Sequence, residues 1–239
     1  MKTVAIVLAA GSGSRMNSDV KKQYMEIGGK PLIYYSLKAF EESIIDDIVL
    51  VVSRGDVDYV KKDIVEKYGF DKVTAVVEGG LARYHSVRLG LQAAAADCDY
   101  AFIHDGARPF IDREIILRAL SAVKEHRACV VGMPAKDTIK IADEKGFAAQ
   151  TPDRDRMWVI QTPQVFSYGM ILELYQRLDR EEGDLMAKGI NITDDAMVVE
   201  YYTDTKVKLV EGSYDNIKIT TPEDIAVAEA ILDKKRREH

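Results

Sequence analysis

The chain alternates short apolar runs with stretches in which apolar residues recur at helical spacing. Runs of this length that end in glycine or polar residues predict buried strands, and here they cover 4–10, 48–52, 73–77, 100–104 and 129–132. The helical spacing predicts helices from Pro31 to Phe40 and over 56–68, 83–96 and 113–126. This alternation predicts an α/β fold, with a Rossmann-like, mostly parallel sheet and helices on both of its faces.

The pattern changes after Pro134, where the chain becomes more polar. Two short β-like stretches, 138–142 and 158–160, flank a turn sequence at 143–146. We interpret 136–161 as an antiparallel β-arm inserted into a single domain that spans 1–239, an arm of the kind used in dimerisation. Beyond it we predict helices over 169–178 and from Thr193, strands at 206–210 and 217–219, and a last helix capped by Thr221 and Pro222.

Composition narrows the class of protein. A chain of 239 residues can bury a sizeable core, and its net charge of -6 argues against a nucleic-acid groove as the main function. The two cysteines, Cys98 and Cys129, show no CxxC spacing, so neither a disulfide framework nor a structural zinc site is predicted. The sequence shows neither a signal peptide nor a membrane span, so we expect a cytoplasmic protein with no membrane partner.

Three loops that follow predicted strands carry the candidate chemistry. They begin at Gly11, at Gly79-Gly80 and at Asp105. Right-handed crossovers bring the carboxyl ends of parallel strands to one edge of a sheet, where ligands bind. Exposed loop amides favour an anion, and Arg15 and Lys22 add positive charge beside the first loop. We therefore expect a triphosphate site at the carboxyl end of the first strand.

The first loop differs from the familiar phosphate-binding motifs. Gly11 and Gly13 lack the P-loop spacing, and Met16 stands where a dinucleotide fingerprint requires its third glycine. By themselves the two glycines are equally compatible with a tight strand-to-helix turn.

The complete stretch, LAAGSGSRM over 8–16 followed by Lys22-Gln23, resembles the signature loop of nucleotidyltransferases that act on sugar or polyol phosphates. Within that group the chain is most similar to the 2-C-methyl-D-erythritol 4-phosphate cytidylyltransferase family. Further matching segments follow in order at 79–87, 104–109, 137–138, 154, 161–164, 193–194 and 215–218. The resemblance implies transfer of CMP from CTP to a polyol phosphate with release of pyrophosphate, in non-mevalonate isoprenoid synthesis. It also implies Mg²⁺ and a homodimer formed through the arm.

The same resemblance implies roles for individual residues. Catalytic positive charge falls to Arg15, Lys22 and Lys218; we choose Lys22 over Lys21 because Gln23 follows it. The positions expected to bind the nucleotide are Ala9, Ala10, Gly11, Gly13, Gly79, Gly80, Ser86 and Asp105. Those expected to bind the second substrate are Thr138, Arg154, Thr162 and Thr193, with Thr138 and Arg154 reaching the neighbouring subunit's site. Asp105 and Asp215 are the expected magnesium ligands, and His104 is interpreted as structural.

Two other functions remain open on the sequence. One is a ribitol 5-phosphate cytidylyltransferase, which shares the fold and most of these motifs. The other is a nucleotide-binding regulator that kept the fold and lost turnover, although retention of the charged residues argues against it.

Overall fold

A computed structural model describes residues 1–11 and 20–238, so Gly13 and Arg15 lie outside the described residues. The strands in chain order are β1 (Thr3–Ala9), β2 (Glu26–Ile27), β3 (Lys30–Pro31), β4 (Asp47–Val52), β5 (Val73–Glu78), β6 (Tyr100–Asp105), β7 (Ala128–Pro134), β8 (Ile141–Ala142), β9 (Ala148–Gln150), β10 (Trp158–Ser167) and β11 (Lys208–Glu211). The helices are α1 (Leu32–Glu41), α2 (Val57–Val60, continued by a π-helical segment Lys61–Glu66), α3 (Arg83–Ala93), α4 (Arg113–His126), α5 (Tyr168–Ala187), α6 (Asp195–Tyr202) and α7 (Glu223–Glu238). Short 3₁₀ turns occupy Lys22–Tyr24 and Arg154–Arg156.

The central sheet has the strand order β11-β7-β10-β6-β1-β4-β5. Its neighbouring strands run parallel except for β10, which is antiparallel to both β6 and β7, so the predicted mostly parallel sheet is confirmed. From β1 the chain builds outward through β4 and β5, then crosses to β6 on the other side of β1. That reversal creates a crevice between β1 and β6 at their carboxyl ends, the position at which open α/β sheets bind ligands.

Side-chain alternation along β1 explains the layers of helices. Ala5 and Val7 pack into a core with α1, α2 and α4, whereas Val4 and Ile6 pack into a second core with α3, α5 and α6. These four side chains are fully buried. A strand that is covered on both faces has no polar face, which is why its sequence reads as one apolar run.

The predicted β-arm is partly wrong. Its hairpin pairs β8 with β9 around the predicted turn, whereas Trp158–Ile160 pairs with β7 and begins a ten-residue strand of the central sheet. The polar residues Gln161 and Gln164 interrupt the apolar pattern by which a buried strand is predicted from the sequence. Both side chains are buried and hydrogen-bonded to other segments, so a central strand can accommodate them.

The strand predicted at 217–219 is also wrong. Ile217 to Ile219 run as an irregular segment, although the Ile219 N–H donates to the carbonyl of Ala107 at 2.9 Å. The Ile219 side chain is fully buried in a third apolar cluster, together with Ala228 and Leu232 of α7. Burial against a helix therefore fixes this segment in the absence of a neighbouring strand.

Helix α5 is longer than predicted, because it continues through its charged second half to Ala187. None of the helices in the described ranges combines the length and the apolarity that a bilayer span requires.

Two glycines inside helices should respond oppositely to alanine. A Cβ on Gly90 of α3 would press on Ile6 and lie 2.8 Å from Val51 Cγ2, whereas a Cβ on Gly183 of α5 would meet nothing within 4 Å. We expect Gly90→Ala to lower the free energy of unfolding by roughly 1–3 kcal/mol through overpacking. Gly183→Ala should raise it by about 0.5–1 kcal/mol through helix propensity. Urea unfolding measures both, and equal effects of the two substitutions would contradict this packing.

Candidate active site

A cavity of about 550 Å³ opens at the carboxyl ends of β1 and β6, where the topology places a ligand site. Its volume lies within the range usual for small-molecule sites. The lining residues are Leu8, Ala9, Ala10, Gly11, Lys22, Gln23, Gly80, Leu81, Ala82, Arg83, Ser86, Asp105, Ala107, Lys218 and Thr220. Most of the predicted nucleotide-binding residues therefore lie around one cavity.

Two loops meet closely on one side of the cavity. A Cβ on Gly79 would press on the Ala10 side chain and lie 2.7 Å from Ser86 Oγ, so only glycine allows this approach. The Ser86 hydroxyl accepts a hydrogen bond from the Gly80 N–H at 3.1 Å and lies 3.3 Å from the Ala82 carbonyl. Ser86, which we expected to bind the nucleotide, therefore also stabilises the conformation of the Gly79-Gly80 loop.

The structure distinguishes the two adjacent lysines. Lys21 Nζ lies 2.6 Å and 2.7 Å from the two carboxylate oxygens of Asp56, whereas Lys22 lines the cavity. Gln23 is buried, and its Nε2 donates to the Ala9 carbonyl at 2.7 Å. That bond attaches the turn carrying Lys22 to the end of β1, which supports the choice of Lys22. The contact with Ala9 gives Gln23 a structural role that its position beside Lys22 in the sequence does not reveal.

Asp105, the last residue of β6, lies between two cations. Its Oδ2 is 2.6 Å from Lys218 Nζ, and its Oδ1 is 3.2 Å from Arg83 Nε. Burial would raise the pKa of Asp105, but the charges of Arg83 and Lys218 outweigh it and hold the pKa well below its usual value. The carboxylate is therefore ionised at neutral pH, and residues far apart in the sequence meet on it.

Asp215, the other expected magnesium ligand, is not part of the cavity lining among the described residues. Its Oδ2 lies 3.4 Å from Lys234 Nζ of α7. The next residue, Asn216, is fully buried and donates to the carbonyl of Thr162 at 3.0 Å. This turn directs Asn216 inward and Asp215 towards α7, so the structure does not bring Asp215 into the cavity with Asp105.

Thr162 lies at a register shift between Ile160 and Gln164 of β10. From there its side chain contacts the backbone of Asp105. Its Oγ1 accepts from the Asp105 N–H at 3.1 Å and lies 3.0 Å from His104 Nδ1. His104 is fully buried, and its Nε2 lies 3.1 Å from the carbonyl of Arg108. Burial lowers the pKa of His104 to about 4, so the neutral ring is structural, in agreement with its interpretation from the sequence.

The remaining expected substrate residues, Thr138, Arg154 and Thr193, lie outside the lining in the part of the chain that is described. All three are exposed. Arg154 Nη1 contacts the carbonyl of Lys136 at 3.3 Å at the base of the arm, and Thr193 immediately precedes the N-cap of α6.

Two arginines add charge that we did not assign from the sequence. Arg83 joins Asp105 to the buried Asp195 of α6, while Arg108 Nη1 donates to the carbonyl of Asn216 at 2.8 Å. Both residues lie in segments that match the family motifs, 79–87 and 104–109, and these matches were the sequence signal that could have identified them. Their roles depend on partners distant in the sequence.

Comparison with known proteins identifies the family. The sequence profile of 2-C-methyl-D-erythritol 4-phosphate cytidylyltransferase matches residues 3–234. The chain belongs to this family. A relative of that name from Lachnoclostridium phytofermentans is 51% identical over 238 residues, covering 100% of this chain and 97% of the relative.

Solved structures of the family agree with the fold. The crystal structure of 4-diphosphocytidyl-2C-methyl-D-erythritol synthase from Anaerococcus prevotii has a TM-score of 0.83 at 36% identity, covering 97% of this chain and 96% of that one. The Thermus thermophilus cytidylyltransferase has a TM-score of 0.74 at 28% identity, covering 97% and 98%. The resemblance stated from the sequence motifs is therefore confirmed.

The buried His104 should make stability depend on pH. In the unfolded chain His104 is protonated below its ordinary pKa of 6.5, whereas in the folded chain burial lowers its pKa to about 4. The stabilisation that the neutral, buried ring contributes to the folded state is therefore complete above pH 6.5 and is lost as the pH falls towards 4. Between pH 7 and 4.5 we expect the free energy of unfolding to fall by roughly 2–3 kcal/mol more in the native chain than in His104→Gln. Urea unfolding at several pH values tests this, and parallel pH profiles would contradict it.

Proposed function

We propose that the protein transfers CMP from CTP to 2-C-methyl-D-erythritol 4-phosphate, releasing pyrophosphate, in the non-mevalonate route to isoprenoid precursors. The observation that carries the proposal is the convergence of Lys22, Lys218 and Asp105 on one cavity, in a chain that belongs to this family over nearly its whole length. A cytoplasmic location is part of the proposal.

The reaction sets an electrostatic problem that the cavity's cations address. A phosphate oxygen of the polyol phosphate bonds to the α-phosphorus of CTP, while the bond from that phosphorus to the bridging oxygen breaks and pyrophosphate leaves. Both reactants are anions, and charge builds on the α-phosphate and the leaving oxygen. Lys22 and Lys218 stabilise that charge, and we include Arg15 with them. The nucleophile is already ionised at neutral pH, so the site requires no general base.

The two strand-end loops are proposed to hold the cytosine. Backbone groups at Ala9, Ala10 and Gly80 border the cavity, and Ser86 fixes the loop that carries Gly80. Gly79 approaches Ala10 closely, so the two loops lie against each other here, and we propose that the space they leave admits a pyrimidine rather than a purine.

Asp105 is suited to magnesium. It presents an ionised, largely buried carboxylate to the cavity, and Mg²⁺ in nucleotide sites commonly takes one or two carboxylates together with substrate phosphates. We propose that Asp105 holds the ion, and Asp215, which contacts Lys234 in this structure, stays a predicted second ligand. When bound, the ion neutralises charge on the triphosphate.

The arm is proposed to complete the second-substrate site in a homodimer. Ile141 and Phe147 are 48% and 69% exposed on the arm, and such apolar side chains favour burial against another copy of the chain. Thr138 and Arg154 would then serve the neighbouring subunit, while Thr193 serves its own. Thr162 acts through Asp105, because its hydroxyl is already engaged there.

Substrate choice tests the proposed function. With CTP and Mg²⁺, we expect pyrophosphate release to show a higher kcat/KM with 2-C-methyl-D-erythritol 4-phosphate than with ribitol 5-phosphate. Faster use of ribitol 5-phosphate would overturn the assigned substrate. If no pyrophosphate is released with either polyol phosphate, the non-catalytic regulator would be favoured.

The adjacent lysines provide a matched test of the charge argument. Lys22→Ala should lower kcat about 100- to 1000-fold, because loss of one transition-state donor costs ~2.7–4 kcal/mol. Lys218→Ala should have a similar effect. Lys21→Ala is the control and should remain within a few-fold of the native rate, because Lys21 pairs with Asp56 and neither residue lines the cavity among the described residues. Equal losses in Lys21→Ala and Lys22→Ala would reject the assignment.

A further inference from the structure

A chain of charged and polar side chains runs from the core of the protein to the cavity. Tyr175 of α5 hydrogen-bonds Asp195 Oδ1 at the start of α6. Arg83, at the start of α3, donates from Nη1 and Nη2 to the two oxygens of Asp195, each at 2.7 Å. Arg83 Nε then reaches Asp105 at 3.2 Å. Four elements of the fold therefore meet through three consecutive contacts.

Burial constrains three members of this chain, Tyr175, Asp195 and Asp105. The Asp195 side chain is 0% exposed, so its charge is tolerated only with close partners. Arg83 satisfies both of its oxygens and still has Nε for Asp105. Burial lowers the pKa of Arg83, but Asp195 and Asp105 outweigh it and raise that pKa well above its usual value. The guanidinium is thus a fixed cation whose orientation is set by Asp195.

Tyr175 completes this arrangement without reaching the cavity. It is 1% exposed, and burial together with the charge of Asp195 raises the pKa of its hydroxyl, which remains a donor. Without that donor, Arg83 would be the one remaining side-chain hydrogen-bond partner of the Asp195 carboxylate among the described residues, and the orientation of the pair would be less tightly fixed. Arg83 Nε, and with it Asp105 Oδ1, would share that loss of orientation.

We propose that Tyr175 is a positioning residue for cytidylyl transfer, which acts through Asp195 and Arg83 to fix the Asp105 carboxylate in the nucleotide cavity. The proposal rests on the function proposed above. It assigns a role to a core tyrosine that is not among the residues that line the nucleotide cavity.

Helix α5 offers a matched control. Tyr168 lies on the same helix, is 4% exposed, and donates its hydroxyl to the carbonyl of Leu91 at 2.8 Å. Tyr168→Phe and Tyr175→Phe each remove one buried phenol hydroxyl, so both should lower the thermal midpoint. We expect only Tyr175→Phe to lower kcat/KM for CTP, by about 10-fold or more, which is the loss typical of residues that orient a metal ligand such as the proposed Asp105. Tyr168→Phe should stay within about twofold of the native value.

A second measurement separates positioning from turnover. CTP binding, measured by calorimetry without the polyol phosphate, should weaken in Tyr175→Phe and stay unchanged in Tyr168→Phe. The coupling is tested in Arg83→Lys, which keeps a cation beside Asp195. Because the lysine cannot bridge both carboxylates as Arg83 does, adding Tyr175→Phe to it should cost little more in kcat/KM.

The outcomes separate the two proposals. If the native protein is active and Tyr175→Phe matches Tyr168→Phe in kinetics and CTP binding, the positioning role is overturned and the function stands. Additive losses in the double variant would also overturn it. If the native protein releases no pyrophosphate, the proposed function fails, and the CTP titration still tests whether Tyr175 orders the nucleotide cavity.

Discussion

The charge of Asp105 is the constraint on which the site depends. A carboxylate that is buried beside a cavity for anions is stable only with cations against it, and a buried charge deprived of its partner costs roughly 3–5 kcal/mol. Here the cations come from α3 and from the segment before α7, as Arg83 and Lys218. Correct folding of distant segments and assembly of the cavity are therefore the same event.

The sheet could be predicted because the local sequence pattern indicates each of its buried strands. Strands such as β1 and β4 are buried on both faces, so they are continuous apolar runs with few alternative structures. The common edge then follows from crossover handedness without any knowledge of side-chain contacts. For the same reason the loops that begin at Gly11, Gly79-Gly80 and Asp105 could be assigned to one edge of the sheet from the sequence, and residues of all three line the cavity.

The errors arose where a residue's partner is remote in the sequence. Gln164 belongs in a central strand because Asp194 and the Ala196 N–H satisfy its amide, which no local pattern reveals. Residues 217–219 alternate between apolar and polar side chains, as in a strand of a sheet. In the structure the apolar side chains pack against α7 instead of lying in a sheet. The orientation of Asp215 likewise depends on the buried Asn216 beside it.

Arg83 shows why a motif can be visible while its mechanism is not. Its partner Asp195 lies 112 residues further along the chain. Arg83 directly follows the loop of Gly80, and Asp195 follows Thr193 by two residues, so one ion pair joins the nucleotide segment to a segment expected to bind the second substrate. Transfer between two phosphates requires both to be aligned within a fraction of an ångström. A bidentate pair with a fully buried carboxylate satisfies that requirement better than a mobile surface pair, because Asp195 cannot relax into solvent and holds the guanidinium through two hydrogen bonds.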